Sequence, residues 1–163
     1  MIKMVRLDER LIHGQIATKW SHTHGVNRIV VADDEAAASE MMQKTLMMAA
    51  PSACKVAIVG MDKALSFVND PRAEKLSILV VVSTPANLLR MAREAHGIER
   101  INVGNYGRIA PKRNGEARKQ YTKNLHAYGD EAETLRELLK CGAPCVVQTI
   151  PDDAPVPLER VLN

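Results

Sequence analysis

Apolar residues recur along this chain in short, near-continuous blocks, separated by longer stretches in which they return every three or four positions. The blocks predict strands at Ile2–Leu7, Arg28–Ala32, Lys55–Val59, Ser77–Val82, Arg100–Val103 and Pro144–Ile150, with a less marked one near Leu125. The longer stretches predict helices from near Gly14 to before Gly25, over Ala36–Ala50, over Asp62–Asn69, from Pro85 to about His96, and over Asp130–Lys140. Pro51 and Pro71 end the second and third of these, and Ser83-Thr84-Pro85 offers capping hydroxyls and a first-turn proline to the fourth. Alternation of this kind builds an α/β fold on a mainly parallel sheet. The Ser77–Val82 block is apolar on consecutive residues, as expected of a strand covered on both faces. No repeat, low-complexity segment or linker divides residues 1–163, so one domain is expected. A long, basic, glycine-punctuated loop is expected from Asn105 to about Gln120, and an irregular tail over Pro151–Asn163.

Composition narrows the classes. With 46% hydrophobic and 25% charged residues the chain reads as an ordinary globular protein. No apolar run approaches the roughly 20 residues of a membrane span, and the charged start MIKMVRLDER lacks a signal-peptide core, so the cytoplasm is the expected compartment. Cys54, Cys141 and Cys145 show no C-x-x-C spacing and read as buried thiols rather than metal ligands or a redox pair. A net charge of +3 with 3% aromatic residues speaks against a nucleic-acid platform. The positive charge is uneven: Arg108, Lys112, Arg113, Arg118, Lys119 and Lys123 form a stretch relieved only by Glu116, a solvated face or a docking surface for something anionic.

In an open parallel sheet the ligand crevice lies at the carboxyl ends of the strands. The segments that fall there are Asp8–Gln15, Asp33–Glu35, Ser83–Pro85 and Gly104–Gly107. The first is chemically the densest. Asp8, Arg10 and His13 stand within six residues, followed at once by Gly14. N–H groups of Gly14, Gln15 and Ile16 at a helix start would favour an anion, phosphate in particular. A histidine nucleophile must be neutral to attack, Arg10 supplies a fixed guanidinium fork, and Asp8 either accepts from the imidazole or orients Arg10. Such a phosphoryl carrier needs no metal or cofactor, because positioning and electrostatics carry most of the reaction. His22, His24, His96 and His126 have no comparable neighbours and read as structural or surface residues.

The segment R-L-D-E-R-L-I-H-G-Q, Arg6 to Gln15, resembles the active-site signature of the mannose/fructose/sorbose family of phosphotransferase-system IIB proteins. Further blocks resemble it in order along the chain: Ile29–Glu35, Ala49–Pro51, Thr84–Pro85, Ile101–Asn105 and Val147–Pro151. The resemblance implies about seven mostly parallel strands with helices on both faces. It implies phosphorylation of His13 at Nδ1 by a phospho-IIA protein, with Arg10 beside the phosphoryl group, and passage to a sugar held by a membrane IIC–IID pair. Gly14, Gln15 and Thr84 become the expected phosphate-binding residues, and a place at the inner face of the plasma membrane is implied. Asp33, where many relatives carry Asn, and Asn105 to Ala110 depart from the family pattern around the expected pocket. Two other readings are a fold-retaining regulatory protein phosphorylated without sugar transfer, and a nucleotide-binding α/β module. The latter lacks both G-x-G-x-x-G after the first strand and any P-loop motif.

Overall fold

The computed structural model describes residues 1–163. In chain order its elements are β1 (Ile2–Asp8), α1 (Ile16–Thr23), β2 (Arg28–Ala32), α2 (Asp34–Ala38), α3 (Glu40–Ala49), β3 (Lys55–Val59), α4 (Met61–Val68), β4 (Ile78–Val82), α5 (Pro85–Glu94), β5 (Ile101–Asn105), β6 (Lys119–Thr122), β7 (Leu125–Ala127), α6 (Gly129–Glu137), β8 (Cys145–Val147), β9 (Val156–Pro157) and α7 (Leu158–Val161). Seven strands form one sheet in the order β3-β2-β4-β1-β5-β8-β9. All its pairings are parallel except β8 with β9. β6 and β7 make a separate antiparallel hairpin.

Strand side chains alternate between faces, and the two faces are covered by different helices. Ile78, Val80 and Val82 of β4 pack with Met61, Leu65, Leu88, Met91, Leu135 and Leu158, so α4 to α7 lie on that side. Leu79 and Val81 pack instead with Ala17, Trp20, Ala36 and Leu46 of α1 to α3. All five residues of β4 are buried, as a consecutively apolar strand requires. β1 sits between β4 and β5, so the loops after β1 and β4 open at the point where strand order reverses. Glu9 from the first loop and Ser83 and Thr84 from the second line one cavity there, of about 540 Å³.

Several boundaries differ from the sequence reading. The stretch Ala36–Ala50 is two helices, because Ser39 adopts an extended backbone and caps α3 by accepting from the Met42 N–H at 3.2 Å. The first helix starts at Ile16, two residues past Gly14. The fifth strand runs through Gly104 to Asn105. The sixth helix gives way to a tight 3-10 turn over Leu138–Lys140. The tail is ordered rather than irregular: Val156 and Pro157 pair with β8, and Leu158 is fully buried beneath the sheet.

Candidate functional site

Alternation along β1 sends Met4, Arg6 and Asp8 to the α1 side of the sheet. Met4 joins the apolar layer there. Arg6 and Asp8 are buried charges and need partners. Arg6 Nη2 donates to Asp8 Oδ2 at 3.0 Å and to the Thr149 carbonyl at 3.0 Å, while Nη1 donates to the Asn102 amide oxygen and to the Gln148 carbonyl at 3.1 Å. The guanidinium also stacks 5.0 Å from the centre of the Trp20 ring. It lies so close over Gly104 that a Cβ there would collide with it, which is why β5 carries a glycine at this point. Burial pulls the pKa of Arg6 down while the Asp8 charge opposes that shift. Asn105 Nδ2 donates to Asp8 Oδ2 at 3.0 Å, so that oxygen is fully engaged from the strand side.

The other oxygen of Asp8 faces the loop. Oδ1 accepts from the Arg10 N–H at 3.2 Å, with Arg10 Nε at 3.7 Å and His13 Nδ1 at 3.9 Å. Asp8, Arg10 and His13 are therefore brought together as expected, with Asp8 placed to orient both. The loop between them is tight: Leu11 N–H donates to the Asp8 carbonyl at 2.9 Å, and Leu11 takes the left-handed conformation, φ 58°. For a non-glycine residue that conformation costs about 1–2 kcal/mol, offset here by burial of the Leu11 side chain in the α1-side layer. It also turns the Leu11 carbonyl toward His13 Nδ1, 3.1 Å away. The imidazole is about one-fifth exposed, and Nε2 is shielded from solvent without a hydrogen-bond partner.

Gly14 and Gln15 are exposed and lie just ahead of α1 rather than inside it; neither N–H is used in a backbone hydrogen bond. Thr84 stands apart. Its hydroxyl caps α5 by accepting from the Asn87 N–H at 3.2 Å, and it lines the 540 Å³ cavity, which His13 does not line. Both oxygens of Asp33 are engaged: Oδ1 caps α2 at the Ala36 N–H, 2.8 Å, and Oδ2 accepts from the Ser83 hydroxyl, and Asp33 lines the 540 Å³ cavity that His13 does not reach. No group of three or more His, Cys, Asp or Glu side chains is arranged to hold a metal ion. No helix is long and apolar enough to cross a membrane. The three thiols are half-buried, and burial pushes Cys145 up to about 11.

Sequence reasoning missed Glu9, treating it as part of a charged segment. Its N–H donates to the Asn105 carbonyl at 2.9 Å, and its carboxylate accepts from four successive amides. Oε1 takes Gly107 N at 3.1 Å and Ala110 N at 3.0 Å, Oε2 takes Arg108 N at 3.0 Å, and Ile109 N lies 3.3 Å from Oε2. Gly107, φ 90°, makes this concavity possible; any side chain there would strike the His126 carbonyl.

The basic stretch is not a uniformly free face. Arg118 is buried in an ion pair with Glu131, Nε to Oε1 2.8 Å, and stacks between Tyr106 and Tyr128. Arg113 pairs with Asp130 at 2.7 Å. Burial alone would raise the Glu131 pKa, but hydrogen bonds from Arg118, Tyr106 and the Tyr128 N–H outweigh it and hold the carboxyl below its ordinary value. A carboxyl whose folded-state pKa is depressed stabilises above its unfolded value and loses that contribution as pH falls through the folded one. Glu131→Gln is therefore expected to destabilise by roughly 3 kcal/mol near neutrality, since it leaves Arg118 unpaired. The difference should shrink as pH drops below about 4.3. Urea melts of both proteins at neutral and acid pH check this; a pH-independent gap would contradict it.

Comparison with known proteins places these observations. The family model described as the PTS system sorbose subfamily IIB component matches residues 2–163. A Streptococcus pyogenes serotype M6 protein named "Probable phosphotransferase enzyme IIB component" is 34% identical over 164 residues, covering 100% of both chains. The N-acetylgalactosamine-specific phosphotransferase enzyme IIB component 2 of Escherichia coli K12 is 29% identical, covering 99% of this chain and 98% of its own. The crystal structure of the IIBSor domain of the Klebsiella pneumoniae sorbose permease superposes with a TM-score of 0.88 at 29% identity, over 100% of this chain and 96% of that one.

Proposed function

The chain belongs to the sorbose subfamily of phosphotransferase-system IIB components, and from that premise we propose that His13 is the residue that carries its phosphoryl group. As a IIB component the chain is a phosphotransferase, a phosphoryl carrier in sugar uptake that works with a IIA protein and a membrane IIC component. The whole of residues 1–163 acts as one IIB domain in this reading, at the cytoplasmic face of the membrane. It receives the phosphoryl group from phospho-IIA and delivers it to sugar held by IIC together with IID.

One observation carries the assignment to His13: the imidazole and the Arg10 guanidinium flank the same oxygen of Asp8 at the carboxyl end of the central strand. Arg10 then meets the equatorial oxygens of the incoming group, and the free N–H groups of Gly14 and Gln15 add donors. Thr84 is left with its capping role. Nδ1 is the acceptor in this reading, because it lies on the Asp8 side while Nε2 is shielded from solvent. Nδ1 must first release the Leu11 carbonyl and hold a lone pair, with the ring proton on Nε2.

Membrane vesicles carrying IIC alone or IIC with IID, supplied with phospho-IIA and labelled sugars, test the assignment. Sugar phosphate is expected only with this chain present and with both membrane subunits. Label that stays on the chain under every condition would favour the regulatory reading, and nitrogen-15 NMR of the labelled chain reports which ring nitrogen bears phosphorus.

A further inference from the structure

The Glu9 carboxylate and the four amides it occupies have no place in the chemistry described so far. A single carboxylate engaged by the N–H groups of residues 107, 108, 109 and 110 ties the basic loop to the residue between Asp8 and Arg10. The tie joins positions about one hundred residues apart, and its geometry depends on a left-handed Gly107. Its visible consequence is a cavity of about 270 Å³ lined by Glu9, Arg10, Asn105, Arg108 and Ile109. Arg10 and Arg108 both line it; His13 does not, and is joined to it through Arg10, whose Nε lies 3.7 Å from the Asp8 oxygen that His13 Nδ1 approaches at 3.9 Å, while the exposed Arg108 donates to Asn124 Oδ1 at 3.3 Å. With Glu9 saturated by amides, its negative charge is largely spent locally, and the two guanidinium groups set the character of the space.

We propose that Glu9 is a positioning residue that holds Arg108 beside Arg10 as a second guanidinium for the phosphoryl group on its way to His13. The inference rests on the reading of His13 as acceptor. In the transfer, the P–N bond to the donor breaks, its electron pair returning to the donor nitrogen, as a P–N bond forms from the His13 ring lone pair. Charge spreads over three equatorial oxygens meanwhile, more than one guanidinium fork can cover.

Phosphoramidate is a small donor that separates this role from partner docking: its nitrogen is already protonated, so ammonia leaves as phosphorus moves to the ring. Labelling rates with phosphoramidate, together with amide hydrogen exchange, are measured for the full chain, Glu9→Gln, Arg108→Ala and the double variant. Arg108→Ala is expected to slow labelling about tenfold, the loss of one charge-assisted hydrogen bond to the transferring group, without altering exchange. Glu9→Gln is expected to speed exchange at amides 107–110 about tenfold and to slow labelling several-fold. The double variant should match Arg108→Ala, since the two residues act as one unit. Labelling of Arg108→Ala at the wild-type rate, released amides in Glu9→Gln with undiminished labelling, unchanged exchange, or multiplying effects in the double variant would each overturn the proposal. Arg108 is exposed, so its variant stays informative should Glu9→Gln fail to fold. Label persisting in His13→Ala would instead remove the acceptor reading itself, while the exchange result stands on its own.

Discussion

Replacing His13 by alanine is expected to abolish the acid-labile phosphoryl label completely while leaving the fold in place. The structural argument for an intact fold is that the ring contributes little to it. It is partly exposed, Nε2 has no partner, and its one hydrogen-bond contact is Nδ1 with the Leu11 carbonyl, which water can replace. Loss of such a side chain costs at most about 1 kcal/mol. The turn itself is held by backbone and apolar contacts: Leu11 N–H to the Asp8 carbonyl, and the buried side chains of Leu11 and Ile12. Loss of label is absolute because no other histidine has the same surroundings. His24 stacks on Trp20 with centroids 5.6 Å apart, and burial lowers its pKa. His126 contacts the Lys123 carbonyl through Nε2, and His22 and His96 are removed from the Asp8 carboxylate by sequence and fold. Phosphorylation by phospho-IIA, followed by acid-stability and mass analysis alongside a urea melt, decides the matter. Wild-type label on the alanine variant, or label mapped to another histidine, would end the assignment.

What the sequence made legible follows from the range over which each feature is determined. β2 and β3 appear with the predicted boundaries because their blocks of β-branched residues are bounded by charge and by Gly60. The Asp8, Arg10 and His13 group was legible for the same reason: three chemically distinct side chains lie within one short loop. Ser39 left no such mark. An apolar-rich run with neither Pro nor Gly reads as one helix, and only the extended backbone at Ser39 divides it. β6, β9 and α7 are too short to have a periodicity of their own; their partners β7, β8 and the buried face of the sheet define them. Charge counting located the basic stretch but not its pairing, because Asp130 and Glu131 enter from the following helix. Glu9 shows the same limit, its four donors standing about one hundred residues away. Arg6 was within reach, since the two-residue period of β1 places it on the face of Met4 and Asp8, and a charge there must be paired.

That pairing gives the second large effect: Arg6→Met is expected to lower stability by about 3–5 kcal/mol, a large part of the roughly 5–15 kcal/mol that holds a domain of this size. Methionine fills much of the space and keeps an apolar contact with Trp20, so the loss is chiefly electrostatic. It strips a donor from the fully buried Asp8 carboxylate, from the Asn102 amide oxygen and from the carbonyls of Gln148 and Thr149 together. Lysine offers no remedy, as one ammonium cannot fork between acceptors that lie on β1, β5 and the segment after β8. What remains for Asp8 is Asn105 Nδ2 and the Arg10 N–H, too little for a buried charge. Removing that charge in turn should therefore restore stability, and Arg6→Met with Asp8→Asn is expected to recover more than half of the loss. Urea denaturation of the single and double variants measures both steps. A single variant within about 1 kcal/mol of wild type, or a double variant no better than the single, would show that Arg6 is not what holds the Asp8 carboxylate in place facing His13.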